Sequence, residues 1–134
     1  MQSYAERLKA YIQNERLTCA MYKHCADICP AYMAKCLRSM AGDEYRHLKA
    51  MQLEFFLLTG DTLPLGPKPV FDRDLSGALR RAYSGEWRSA CDYAAEAEMQ
   101  NDEKLRSLFL AQSRDELRHR ALARHFLARL TGMS

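Results

Sequence analysis

The stretches DEYRH at 43–47 and DELRH at 115–119 share four of five letters across 72 positions. In each, Glu and His stand three residues apart, so on a helix they project from one face, one turn apart. Both side chains can then reach the same ion. A lone glutamate precedes each stretch: Glu15 lies 29 positions before Glu44, and Glu86 lies 30 before Glu116. The midpoints fall near 29–30 and at 101, where Pro30 and the capping triplet QND at 100–102 predict tight turns between antiparallel helices. Equal distance from a turn means equal height, so each lone Glu is expected to face its ExxH.

Apolar and small residues recur at three- and four-residue spacing over roughly 3–26, 30–58, 73–99 and 102–131, which predicts four long helices. A glutamate interrupts the apolar stripe of each: Glu15, Glu44, Glu86 and Glu116. The connection TGDTLPLGPKPVFDRD at 59–74 holds three Pro and two Gly. It can span ~50 Å at ~3.3 Å per residue, enough to travel the length of a helix of ~29 residues rising ~1.5 Å each. The expected fold is all-α, a single-domain four-helix bundle of two antiparallel hairpins joined by a long crossover loop. An internal repeat agrees: Tyr22 returns as Tyr93, and Leu58-Thr59-Gly60 as Leu130-Thr131-Gly132.

At 134 residues the chain can bury a core without disulfide staples. Its net charge of +3, from 20 basic and 17 acidic residues, is dispersed, and the basic tract RDELRHRALARHFLAR reads as a solvated helix face, so no nucleic-acid partner is expected. The longest aliphatic-aromatic run, at 55–58, is far too short to span a membrane, and the N-terminus lacks a signal-peptide core; a cytoplasmic location is expected. The five Cys form an odd set without CxxC pairs, so reduced, packed thiols are the default. His24, Cys25 and Cys29 crowd one turn and raise the question of a second metal or redox site. Three soft ligands beside a loop are more often accidental.

If the hairpins pack about a pseudo-twofold axis, four carboxylates and two imidazoles converge. Without counter-charge they would repel one another and bear a heavy desolvation penalty, whereas two divalent metals cancel four negative charges. Mixed carboxylate and imidazole ligation suits iron or manganese rather than copper(I). The expected ligands are Glu15, Glu44, His47, Glu86, Glu116 and His119. A single ExxH is weak evidence, but two on apolar stripes, each with a Glu at matched height, are not easily accidental. Glu96 and Glu98 rival Glu86 but miss the height by about three turns. Asp43 and Asp115, four before each His, are candidates to hold the imidazole ring N–H. Tyr22 and Tyr93, seven after each lone Glu, fit either a buried aromatic or a redox-supporting role. His24 and His125 read as ordinary exposed or packing residues.

This motif set of Glu, ExxH, Glu, ExxH on four helices resembles the ferritin-like diiron-carboxylate superfamily, and within it the rubrerythrin-type branch, over nearly the whole chain. The resemblance implies that Glu15 and Glu86 are terminal carboxylates, that Glu44 and Glu116 bridge, and that His47 and His119 serve one metal each. It implies two metals per chain, iron or manganese, and a ferrous pair oxidised by dioxygen or hydrogen peroxide, with an external electron donor and a homodimeric assembly. Two features depart from that pattern. Ser89 stands where rubrerythrins carry a further Glu, and no iron–thiolate domain is written in these residues. The first ligand set is therefore closer to that of bacterioferritin. The alternative reading is a metal-binding module in iron handling or sensing that does not turn over. A helical bundle with a vestigial site would bind no metal, and DNA-binding mini-ferritins are disfavoured because they place ligands between subunits.

Overall fold

The computed structural model describes residues 1–133. Four helices appear in order, α1 (Tyr4–Ile28), α2 (Ala31–Thr59), α3 (Leu75–Met99) and α4 (Glu103–Thr131), with no strand among the described residues. The fold class is the all-α four-helix bundle, built from helix pairs that pack as α1 with α2 and α3 with α4. The contacts group these pairs into two compact units, one ending at Arg73 and the other beginning at Asp74.

Local chemistry sets each boundary. The Ser3 hydroxyl accepts from the Glu6 amide to start α1, and Asp102 accepts from the Lys104 and Leu105 amides at 2.7 and 3.1 Å to start α4. Pro30 stands at the N-cap of α2 rather than in its first turn, with helix beginning at Ala31. Helix α3 starts two residues later than its periodicity suggests because the Asp74 carboxylate caps it from outside, accepting from Gly77 at 2.9 Å. Both 29-residue helices stop at a left-handed glycine, Gly60 at φ 78° and Gly132 at φ 70°, where an L side chain would be strained.

In the first hairpin, Leu8, Ile12, Tyr22, Met33, Leu37 and Met51 are fully buried. The Cys19 thiol donates to the Ala41 carbonyl at 3.3 Å, crossing from α1 to α2. The second hairpin buries Leu79, Tyr93, Phe109, Ala123 and Phe126, with the Tyr93 and Phe109 rings 6.0 Å apart. There the rung is reversed: the Ser113 hydroxyl on α4 donates to the Ala90 carbonyl on α3 at 2.8 Å. Cys19 and Ala90 are equivalent positions in the repeat, as are Ala41 and Ser113, so one rung is built twice with the donor on opposite helices.

The connection after Gly60 does not hang free. Arg16 on α1 donates to the carbonyls of Leu65, Gly66 and Pro67, the last two at 3.1 and 3.2 Å. His24 hydrogen-bonds the Asp72 carbonyl through its Nε2 and stacks on Phe71 with ring centroids 5.6 Å apart. The chain thus runs beside α1 from the level of residue 16 to that of residue 24, back toward the hairpin turn, as a crossover requires. No helix among the described residues is long and apolar enough to cross a membrane.

Candidate metal centre

Helical spacing puts the predicted ligands inside their hairpins. In the first, Glu15 from α1 meets Glu44 and His47 from α2: His47 Nδ1 lies 3.6 Å from Glu15 Oε2 and 3.7 Å from Glu44 Oε1. In the second, Glu86 from α3 meets Glu116 and His119 from α4: His119 Nδ1 lies 3.5 Å from Glu86 Oε2 and 3.9 Å from Glu116 Oε1. The two triads match to a few tenths of an ångström. Glu15, Glu44, Glu116 and His119 are wholly buried, and His47 and Glu86 nearly so. In each triad, one ligand atom per residue falls within 4.8 Å of the others.

Burying a carboxylate in a helical core costs several kcal/mol even after relaxation. A fold that does this twice, at equivalent positions of its repeat, favours a positive charge beside each cluster. The donor set of carboxylate oxygens and imidazole nitrogens suits a hard or borderline divalent metal, and the spread of ligand atoms is that of side chains around one ion. The residues present fit such an ion.

The neighbouring candidates divide. Tyr22 and Tyr93 are both buried. Asp43 is buried and ion-paired with Arg46, whereas its repeat partner Asp115 stays partly exposed and holds Arg118 at 3.1 Å. Each Asp therefore engages the arginine three residues on, within its own DExRH stretch. Glu98 is exposed, but Glu96 is fully buried near the end of α3, where Gln100 Nε2 donates to its Oε2 at 2.8 Å. The Gln four residues after Glu96 is the signal in the sequence that could have revealed it. Ser89 is buried on α3.

No metal-capable group among the described residues contains His24, Cys25 or Cys29, so a second metal site at the first turn is not supported. Cys25 packs in the core, and His24 is spent on the crossover. His125 is exposed beside Phe126. Burial pushes the thiols of Cys19 and Cys29 above their ordinary range; at Cys19 the Lys23 charge opposes the rise and the Glu15 charge adds to it.

One feature of the second hairpin escapes periodicity altogether. The Arg120 guanidinium lies over the Tyr83 ring at 4.2 Å and the Trp87 ring at 4.9 Å. Tyr83 and Trp87 flank Glu86 on α3, and Arg120 follows His119 on α4, so the stack ties the two helices together beside the candidate ligands.

A family model described as Rubrerythrin matches residues 6–127. No curated protein matches the chain. Among solved structures, a hypothetical protein from Pyrococcus furiosus is similar at 20% identity and a TM-score of 0.86, over 98% of this chain and 92% of that one. At that identity the likeness speaks for the fold.

Proposed function

The chain belongs to the Rubrerythrin family, and on that premise we propose that its two triads, one in each hairpin, hold one metal ion apiece, iron or manganese, whose reduced form reacts with dioxygen or hydrogen peroxide. The observation that carries this reading is the doubled triad: two carboxylates and an imidazole around His47, and the same set at the same heights around His119. Bound divalent metal would supply the redox equivalents and Lewis acidity that these side chains lack.

The protein's own residues do the rest. Glu15 and Glu86 each present a carboxylate from the opposite helix of the hairpin and would hold an ion beside His47 and His119. Glu44 and Glu116, one turn before each His, would each lend a carboxylate to the ion held by their own triad. Tyr22 and Tyr93 are buried on the same stripes, two turns along from Glu15 and Glu86. The rungs from Cys19 to Ala41 and from Ser113 to Ala90 lock helix register about one turn from the ligands. An external electron donor and a homodimeric assembly complete the reading.

The test begins with metal analysis of protein purified without chelator, then anaerobic ferrous loading and measurement of oxidant consumed. Two metals per chain and stoichiometric loss of hydrogen peroxide or dioxygen are expected. Two metals without oxidant consumption would leave a non-catalytic binding module; no metal would overturn the reading.

A further inference from the structure

A groove of about 670 Å³ opens in the first hairpin between α1, α2 and the crossover segment. Leu48, Leu65, Val70 and Phe71 give it apolar walls. Its charged lining is mainly cationic, with Arg16, Lys23 and Lys68 against the carboxylate of Asp27. Arg16 is spent on holding the segment in place, but neither Lys23 nor Lys68 is engaged in an ion pair among the described residues. The volume and the mixture of apolar wall with a few charges are those of small-molecule sites.

The internal repeat shows that the helical design does not itself require this lining. Shifted by the repeat, Lys23 and His24 become Ala94 and Ala95, Arg16 becomes Trp87 and Leu48 becomes Arg120. At the equivalent place the second hairpin carries the stack of Arg120 on Trp87 and Tyr83. One copy has filled the position with its own side chains; the other has roofed it with a pinned loop and left room beneath. The groove also runs behind the first triad, since Arg16, Tyr45 and Leu48 follow Glu15, Glu44 and His47 by one residue each.

We propose that this groove binds a small organic anion with an apolar body, its carboxylate or sulfonate held by Lys23 and Lys68 and its body laid along Leu48, Leu65 and Phe71. The site belongs to the polypeptide itself and does not depend on metal, so metal-free protein is the material for the test.

The probe is 8-anilinonaphthalene-1-sulfonate, with N-phenyl-1-naphthylamine as the same aromatic body lacking the charge. Wild-type protein is expected to bind the sulfonate at one saturable site per chain and the neutral amine at least tenfold more weakly. Lys23→Glu with Lys68→Glu should weaken the sulfonate tenfold or more, Ala20→Trp should block the groove, and Arg88→Glu in the second hairpin should change nothing. Circular dichroism and metal loading of the lysine variant check that it is folded, and unchanged metal loading keeps this result separate from the metal-centre reading. Equal affinity for both probes, or sulfonate binding undiminished in the folded lysine variant, overturns the proposal. So does loss of binding in Leu57→Lys, which would place the probe on the exposed apolar end of α2 instead.

Discussion

Ser113 on α4 donates its hydroxyl to the Ala90 carbonyl on α3 at 2.8 Å, between the turn and the Glu86, Glu116 and His119 cluster. Ser113 is buried, so its loss removes a hydrogen bond and leaves the carbonyl without that donor. Ser113→Ala is expected to cost about 1 kcal/mol, lowering the thermal midpoint by about 3 °C for a chain of this size. Ser113→Cys, which copies the thiol rung of the first hairpin, should recover part of it. An unchanged midpoint in Ser113→Ala would show that the rung carries no stability.

Glu86→Ala is expected to lose about one metal per chain while Glu98→Ala keeps both. Glu86 is buried with its Oε2 3.5 Å from His119, whereas Glu98 is exposed on the same helix. The remaining Glu116 and His119 make an open, weaker site. Retention of two ions by Glu86→Ala together with loss of one by Glu98→Ala would reverse the assignment.

Tyr22→Phe should leave the metal count unchanged, because Tyr22 is fully buried and an aromatic ring of nearly the same volume still fills its place. Metal analysis showing one ion fewer would make the phenol a ligand.

The thiols should separate by burial. Cys91 is exposed and Cys25 wholly buried, so iodoacetamide at neutral pH is expected to label Cys91 first and Cys25 only on unfolding. Desolvation raises the Cys19 thiol above its ordinary value of 9.0, so in the folded chain its labelling should begin at higher pH than in the denatured chain. A group raised in this way favours the folded state below its ordinary value, and that contribution is lost as pH climbs through the raised one. Mass mapping that finds Cys19 as reactive as Cys91 would contradict the burial argument. Replacing Cys25 and Cys29 together by Ser should leave oxidant consumption unaltered.

Arg120→Ala should change the emission of Trp87, the single tryptophan, and lower stability by about 1 kcal/mol. Arg120→Lys is expected to restore less than half, since an ammonium cannot stack as a planar guanidinium does. Unaltered fluorescence in both variants would show that the stack does not persist in solution.

Much of this architecture was legible in the residues. Glu and His at three-residue spacing, lone Glu at matched heights, and Pro30 and Asp102 at the turns are local signals, and helices obey local signals. What escaped was non-local. Nothing periodic says that Arg16 and His24 will hold a segment some fifty residues away in the chain, or that Arg120 will lie between rings on another helix. Identical letters also hide different surroundings. Asp43 and Asp115 occupy the same place in DExRH, yet one carboxylate is 8% exposed and the other 30%. Glu96 read as a poorly placed rival to Glu86, but it is a buried acceptor for Gln100 with a packing partner of its own.

Gly60 and Gly132 end α2 and α4 in the same left-handed turn, and Ser3 and Asp74 open α1 and α3 with the same kind of side-chain cap. Each hairpin therefore carries its own punctuation. A segment with that autonomy is a heritable cassette: copied head to tail, it brings its start and stop along, and neither copy borrows them from the other. After such a copying event the shared pattern of Glu and ExxH is held in place by chemistry, while the flanks are free to drift apart. Lysine and histidine at 23 and 24 against paired alanines at 94 and 95 are the kind of divergence this permits.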